Sequence, residues 1–251
     1  MSCLIAVTGK GGVGKTTISA LLVSRLVAAG KNPVLAIDAD PNSCLDSALG
    51  VTVANTVGKA REDVRKEVQD GLAGISKQER LQLKISESLV EAEGFDLIAM
   101  GRPEGAGCYC YANGVLKNVI GELAKQYPFV VLDNEAGLEN LSRRIVQKVD
   151  ILVLVSDASN AGMETLKRLY SLTGEMGIEF SKLAVIVNRI RNNTLPKKIE
   201  EVREHTKADY VIGIPDDPEV AEYAENNRPI SEIPAENPVV MKIDEIVRIT
   251  K

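Results

Sequence analysis

Near its amino terminus the chain reads Gly9-Lys10-Gly11-Gly12-Val13-Gly14-Lys15-Thr16. An apolar run at residues 4–7 precedes this segment, and a helix-forming run at residues 17–29 follows it. Glycines let the backbone turn so that successive N–H groups converge on phosphate oxygens, and a helix N-terminus adds partial positive charge there. The order of strand, glycine-rich loop and helix therefore predicts a site for nucleotide phosphates rather than a merely structural turn.

Two side chains of this loop have chemistry suited to a nucleoside triphosphate. Lys15 brings a positive charge to the β- and γ-phosphates, and the Thr16 hydroxyl is suited to bind Mg²⁺. The predicted nucleotide-binding residues of the loop are Gly9, Gly11, Gly12, Val13, Gly14, Lys15, Thr16 and Thr17.

A second lysine, Lys10, follows the first glycine of the loop. With it the loop resembles the KGGxGK(S/T) signature of the deviant Walker A ATPases, which include nitrogenase iron protein, the partition and division-site positioning ATPases and the nickel-insertion ATPases. The resemblance implies that Lys10 reaches across a dimer interface to the partner's nucleotide. There it would stabilise the negative charge of phosphoryl transfer. The alternative is an ordinary solvated loop lysine.

Composition narrows the class of protein. A chain of 251 residues, 45% hydrophobic and 26% charged, fits one α/β domain. No signal peptide and no apolar run of about 20 residues is readable, and four cysteines are too few for a disulfide framework. These features predict a cytoplasmic protein with no membrane partner. The net charge of −5 argues against a nucleic-acid partner.

The second apolar run, residues 34–37, ends in Asp38-Ala39-Asp40-Pro41-Asn42. Carboxylates at the carboxyl end of a strand in an open α/β sheet lie where ligands bind. The family resemblance implies that Asp40 positions the attacking water and that Asp38 lies nearer the Mg²⁺ and its waters. Alternatively Asp40 caps the next turn, because Asp before Pro commonly starts one; the two roles are compatible.

Residues 51–93 carry mixed-charge helical patterns, at 59–68 and from about 78 to 93. No Pro/Gly-rich linker or break in composition separates them from the rest of the chain. We therefore predict a helical insertion at about 51–93 within a single domain spanning 1–251. Its outer face is either solvated or turned towards a partner protein.

The third apolar run, residues 95–100, leads into a Gly/Pro-rich loop that contains Cys108-Tyr109-Cys110. A disulfide across one residue is strained, and two thiolates are too few for a closed tetrahedral metal site. A symmetric dimer would bring two such pairs to its two-fold axis and supply four thiolates. Two free surface thiols are the alternative. Cys3 and Cys44 are expected to be small buried residues.

Two motifs, Cys108-Tyr109-Cys110 and Asp133-Asn134-Glu135-Ala136-Gly137, point to one group within this family. Together they resemble the maturation ATPases of carbon monoxide dehydrogenase and acetyl-CoA synthase, over essentially the whole chain. This resemblance implies that the cysteine pair binds Ni²⁺ or Zn²⁺ between subunits. Nitrogenase iron protein takes another cluster cysteine from the loop after its fourth strand, whereas residues 133–141 contain none. A divalent metal is therefore favoured over an iron–sulfur cluster.

The fourth apolar run, residues 129–132, ends in Asp133 and so has the Walker B form. Asp133 is predicted to hold Mg²⁺ through its water shell. Asn134-Glu135-Ala136-Gly137 lies at the switch II position, where the backbone N–H of a glycine can sense the γ-phosphate. We expect ATP to move this segment and thereby to alter the dimer face that carries the cysteine pair.

Asn188 closes a later strand where the base should lie. Guanine-specific sites read Asn-Lys-x-Asp, and Arg191 stands where that Asp would be, so ATP is favoured. The resemblance implies that Asn188 contacts adenine, with the backbone of Pro215 on the other wall. The single histidine, His205, lies in a charged helix end and is predicted to be at the surface.

The alternation of strands and helices predicts an α/β fold, a doubly wound, mainly parallel sheet with helices on both faces, as in P-loop NTPases. The remaining strands are predicted at 151–155, 183–187 and 210–214, and the remaining helices near 162–176, 196–206, 217–227 and 239–249.

The resemblance implies an ATP hydrolase that forms an ATP-promoted homodimer, uses Mg²⁺ and delivers nickel. Its client would be carbon monoxide dehydrogenase or acetyl-CoA synthase, and the sequence does not decide between them. A positioning ATPase that acts on a membrane or DNA is one alternative, and an electron-donating iron–sulfur ATPase is another. The net charge of −5 and the lack of a basic amphipathic face at residues 241–251 argue against the first alternative.

Overall fold

The computed structural model describes residues 2–42, 44–69, 76–102, 121–137 and 148–250. Its strands are β1 (Cys3–Gly9), β2 (Val34–Asp38), β3 (Val90–Ala92), β4 (Phe95–Ala99), β5 (Phe129–Asp133), β6 (Lys148–Asp157), β7 (Glu179–Ile190) and β8 (Tyr210–Pro215). Its helices are α1 (Lys15–Ala28), α2 (Leu45–Leu49), α3 (Val57–Gln69), α4 (Lys77–Ser86), α5 (Asn160–Glu175), α6 (Ile199–Thr206), α7 (Pro218–Glu225) and α8 (Pro238–Ile249). A short 3-10 helix spans Ile230–Glu232, and residues 121–124 are also helical.

The eight strands of the described residues form one sheet in the order β3-β4-β2-β5-β1-β6-β7-β8. All neighbouring pairs are parallel except β3 and β4, which are antiparallel. The inner strands are nearly continuous apolar runs; every residue of β2 is buried. Strands of a parallel sheet have this composition because helices cover both of their faces.

The two faces of the sheet support two separate hydrophobic clusters. Alternate residues of β1 divide between them, Ile5 and Val7 pointing to one and Ala6 to the other, as the two-residue period of a strand requires. Helices α1 and α8 pack on the first face and helices α3 to α6 on the second. The predicted doubly wound sheet is confirmed.

One sequence prediction in the 51–93 region is wrong. The predicted helix from about 78 to 93 ends at Ser86, and the chain then forms β3. The start of α4 is well defined by a capping box, in which Ser76 and Glu79 exchange side-chain and backbone hydrogen bonds. Strand β3 is stabilised by pairing with β4, which places Val90 opposite Leu97. A three-residue edge strand has no local sequence pattern that indicates such a partner, so it was not predicted.

The fold brings the carboxyl ends of the parallel strands to one edge of the sheet. Gly9, Asp38 and Asp133 end three neighbouring strands, and Asn188 and Pro215 lie at the ends of β7 and β8. Ligands of open α/β sheets bind at this edge. Among the described helices, none has both the length and the apolar content needed to cross a bilayer.

Candidate nucleotide site

The phosphate loop connects the end of β1 to the start of α1. Gly14 is the N-cap of α1 and has φ 91° and ψ 26°, a left-handed conformation that favours glycine. A Cβ at Gly14 would also lie 2.5 Å from Asn188 Nδ2. Because Gly14 has no side chain, no capping oxygen competes for the first N–H groups of α1, which can therefore bind an anion.

Lys15 lies within the loop rather than in solvent. It is 8% exposed, and its Nζ donates a hydrogen bond to the Lys10 carbonyl oxygen at 3.1 Å. Burial lowers the pKa of Lys15, whereas the nearby charges of Asp133 and Asp40 raise it. The ammonium is thus held among the loop carbonyl and the strand-end carboxylates, where it can reach a bound phosphate.

Asp133 is buried at the end of β5 and faces α1. Its Oδ1 accepts a hydrogen bond from Ser19 Oγ at 2.9 Å, and the Thr16 side chain is also bonded to it. Burial raises the pKa of Asp133 to about 6, while the bonds from Thr16 and Ser19 lower it. Ser19 was not identified from the sequence, although it lies one helical turn after Lys15 on the same face of α1.

Asp38 is completely buried beside Asp133, its register partner in the sheet. Its Oδ1 accepts a hydrogen bond from Asp40 N and its Oδ2 one from Leu45 N, both at 3.0 Å. Burial, together with the charge of Asp133, raises the pKa of Asp38 to about 7 despite these bonds. Two buried carboxylates that resist ionisation side by side form a place where a cation would stabilise both charges.

These donors fit Mg²⁺, a hard cation that prefers oxygen ligands. The carboxylates of Asp38 and Asp133 and the hydroxyl of Thr16 supply oxygens only. Within the described ranges, no three His, Cys, Asp or Glu side chains are grouped as a metal-ligand set. Magnesium usually keeps several waters and is held through one or two carboxylates and substrate phosphates, so this sparse set suits it.

Asp40 is partly exposed and forms the turn that the sequence offered as its alternative role. Its Oδ1 accepts hydrogen bonds from the backbone N of Asn42 at 2.8 Å and from Asn42 Nδ2 at 3.1 Å. Its charge also acts on Lys15 and Asp133, so the turn holds Asp40 close to the phosphate loop.

The segment after β5 lies against the end of β1. Gly137 N donates to the Gly9 carbonyl oxygen at 3.0 Å, and the Thr8 hydroxyl donates to the Gly137 carbonyl. The Asn134 backbone N and Nδ2 both donate to the Val7 carbonyl at 3.0 Å. The predicted switch II residues therefore contact the strand that leads into the phosphate loop.

A cavity of about 360 Å³ opens between the phosphate loop and the ends of β7 and β8. Its lining includes Gly14, Ile18, Asn188, Pro215 and Val220, so the two residues predicted to flank the base do meet there. Asn188 Nδ2 donates to the Val13 carbonyl oxygen at 2.8 Å, which ties the phosphate loop to the wall of the cavity.

Arg189, which the sequence did not suggest, also lines the cavity. Its φ is 56°, and its Nη1 donates to the Gly12 carbonyl oxygen at 3.4 Å. An arginine directly after the predicted base contact is a weak signal, and the contact depends on a backbone conformation that the sequence does not reveal.

Other predicted residues have varied outcomes. Lys10 is exposed at the outside of the loop, and His205 is exposed as predicted.

Cys108 and Cys110 lie outside the described residues. The prediction that Cys44 is buried is wrong: Cys44 is exposed, because it precedes α2 and the following Leu45 enters the core in its place. Cys3 is half-buried.

The raised pKa of Asp38 gives a stability prediction. Between about pH 4 and about pH 7, the folded protein holds a proton on Asp38 that an unfolded chain, with a pKa near 3.9, has released. The contribution of this group to stability is fully present below about pH 4 and is lost as the pH rises through about 7. From about pH 5.5 to about pH 8, we expect the free energy of unfolding in EDTA to fall by about 2 kcal/mol through Asp38 alone.

Urea titrations at a series of pH values measure this slope. Asp38→Asn removes the titrating group; it will be less stable at low pH because one hydrogen bond is lost, but its pH dependence should be shallower. If the free energy of unfolding depends on pH equally in the wild-type protein and in Asp38→Asn, Asp38 is not the group responsible.

Comparisons with known proteins agree with this geometry. The family model of the CobQ/CobB/MinD/ParA nucleotide binding domain matches residues 4–230. An uncharacterized ATP-binding protein of Methanocaldococcus jannaschii is 42% identical over 245 residues, covering 97% of this chain and 96% of the relative. The carbon monoxide dehydrogenase accessory protein CooC of Rhodospirillum rubrum is 33% identical over 187 residues, covering 70% of each chain. A ParA family ATPase from Chlorobium tepidum superposes with a TM-score of 0.74 at 16% identity, covering 100% of this chain and 99% of that one.

Proposed function

Because this chain belongs to the CobQ/CobB/MinD/ParA family of nucleotide-binding ATPases, we propose that it uses ATP hydrolysis to deliver a metal to an enzyme. The cargo is Ni²⁺, for which Zn²⁺ can substitute, and the client is carbon monoxide dehydrogenase or acetyl-CoA synthase. Two copies assemble when ATP binds, and the Cys108-x-Cys110 pairs of both copies hold the metal at their interface. The similarity to a carbon monoxide dehydrogenase accessory protein over 70% of the chain supports this client class.

One observation supports the link between ATP and the metal more than any other. The segment that leads towards Cys108 and Cys110 is bonded to the segment that carries Asp38 and Asp40. Met100 N donates to the Asp38 carbonyl oxygen at 2.8 Å, and Arg102 Nη2 donates to Asn42 Oδ1 at 2.6 Å. After the two cysteines the chain leads into β5 and Asp133. Along the chain, Cys108 and Cys110 thus fall between two segments that reach the nucleotide site.

The chain's own residues have distinct parts in this mechanism. The phosphate loop and Lys15 bind and orient the triphosphate, and Asp40 orients the attacking water. Lys10 of each copy reaches the nucleotide of the other. When bound, Mg²⁺ neutralises phosphate charge beside Thr16, Asp38 and Asp133. Hydrolysis separates the copies and splits the four-thiolate set, which lowers the affinity for the metal.

The proposal predicts one tight metal ion per ATP-bound dimer. Anaerobic titration of Ni²⁺ and Zn²⁺, read as metal content and molecular mass together, measures the stoichiometry. It is carried out without nucleotide, with ADP and with a non-hydrolysable ATP analogue. Because two thiolates bind a metal more weakly than four, we expect the affinity to be highest with the analogue.

Cys108→Ser/Cys110→Ser should remove the tight site. Cys44→Ser is the matched control, since Cys44 is an exposed thiol four residues after Asp40 and belongs to no Cys-x-Cys pair. If the wild-type protein binds no metal tightly, the delivery role fails and a positioning ATPase becomes the better hypothesis. If its affinity is equal in all three nucleotide states, the coupling to ATP fails.

A further inference from the structure

Asn42 connects two groups that belong to different parts of the molecule. On one side its Nδ2 donates to Asp40 Oδ1 at 3.1 Å, beside the bond from its own backbone N. On the other side its Oδ1 accepts from Arg102 Nη2 at 2.6 Å. The Asn42 side chain therefore lies between the Asp40 carboxylate and the arginine that precedes the cysteine loop.

An amide is the side chain suited to this place, because it donates at one end and accepts at the other. An aspartate at position 42 would still accept from Arg102 but would set a second negative charge against Asp40. An alanine at position 42 would keep the bond from its backbone N to Asp40 and would lose both bonds of the Asn42 side chain. The bond from Arg102 carries a full charge on the donor and is correspondingly short.

The backbone next to Arg102 is held firmly. Gly58 N, at the start of α3, donates to the Met100 carbonyl oxygen at 2.9 Å, and Met100 N donates to the Asp38 carbonyl. A Cβ at Gly58 would lie 2.5 Å from the Arg102 carbonyl oxygen, so helix and loop entry are in close contact. The next residues lead to Cys108, and the Arg102 side chain is the part that turns back to Asn42.

We infer that Asn42 and Arg102 are positioning residues for ATP hydrolysis, and that through them metal binding in the cysteine loop acts on Asp40. The effect of metal binding on Asp40 rests on the function proposed above. The positioning role of Asn42 and Arg102 requires only that Asp40 orients the water. A change in the loop alters the Arg102 hydrogen bond, the Asn42 amide follows, and the Asp40 carboxylate turns with it.

The first test uses ATP hydrolysis without added metal cargo. Asn42→Ala should lower kcat about 10-fold, the size typical of losing a partner that orients an active-site ligand, and leave the KM for ATP within about twofold. Asn42→Asp should lower kcat as much as Asn42→Ala does, and Arg102→Lys should lower kcat less than Arg102→Ala does. Arg203→Ala is the control, because Arg203 is also exposed but pairs with Glu200 on its own helix. A wild-type kcat in Asn42→Ala would overturn the positioning role.

The second test compares kcat with and without Zn²⁺ in the wild-type protein, Arg102→Ala and Cys108→Ser/Cys110→Ser. We expect Zn²⁺ to change kcat in the wild-type protein. In Arg102→Ala, Zn²⁺ should bind with unchanged stoichiometry but no longer change kcat. Two results would overturn the coupling. In one, Zn²⁺ changes kcat as much in Arg102→Ala as in the wild-type protein; in the other, the wild-type protein binds Zn²⁺ and its kcat does not change. If the wild-type protein binds no Zn²⁺, the delivery function fails, and the Asn42→Ala result alone decides the positioning role.

Discussion

Asp40→Ala is expected to lower kcat for ATP hydrolysis by about 10²–10⁴-fold, the range for removing a positioned acid–base group, and to leave ATP bound. Asp40 is held beside the phosphate loop by Asn42, and its charge acts on Lys15. ATP should stay bound because Lys15 and the backbone N–H groups of the phosphate loop are unchanged in this variant. Phosphate release measures the rate, and calorimetry with a non-hydrolysable ATP analogue measures binding.

Two further variants separate the roles of the Asp40 side chain. Asp40→Asn keeps an oxygen that can cap the turn but removes the carboxylate charge, so it should be as inactive as Asp40→Ala. Asp46→Ala removes a partly exposed carboxylate six residues later, whose Oδ1 accepts from Ser47 N, and should hydrolyse ATP at the wild-type rate. Substantial activity in Asp40→Asn would mean that Asp40 serves only the turn.

The sheet could be predicted from sequence because its inner strands contain apolar runs, several of which end in a residue of recognisable chemistry. Asp38 and Asp133 follow such runs, and parallel strands bring their carboxyl ends together. Strand β3 could not be predicted in the same way. Its three residues carry no period of their own and depend on pairing with β4.

In the candidate site, too, residues in one contiguous stretch could be predicted, and residues with remote partners could not. The phosphate loop is contiguous, so its glycines and Lys15 could be read directly from the sequence. Ser19 and Arg102 were missed because their partners are remote: the Ser19–Asp133 bond spans 114 residues, and the Arg102–Asn42 bond spans 60. Serine and arginine occur widely at surfaces and in helices, and only the fold selects the copies that face the site.

Lys10→Ala should lower kcat by about 10³-fold or more, as loss of a charge supplied in trans does in other phosphoryl-transfer ATPases and GTPases. Lys10 is exposed at the outside of the loop. Lys15, by contrast, is buried within it. Affinity for ATP should change little, because Lys15 and the loop N–H groups remain. Lys197→Ala removes another exposed lysine and is the control.

Mixing two inactive variants distinguishes action across the dimer from action within one chain. In a mixed dimer, the nucleotide held by the Lys10→Ala copy has its own Asp40 and receives Lys10 from the Asp40→Ala copy. Random pairing of equal amounts makes half of the dimers mixed, each with one complete site, so about a quarter of the wild-type rate should return. If Lys10 acts on the nucleotide of its own chain, no site is complete in any dimer. The mixture would then stay inactive at every protein concentration.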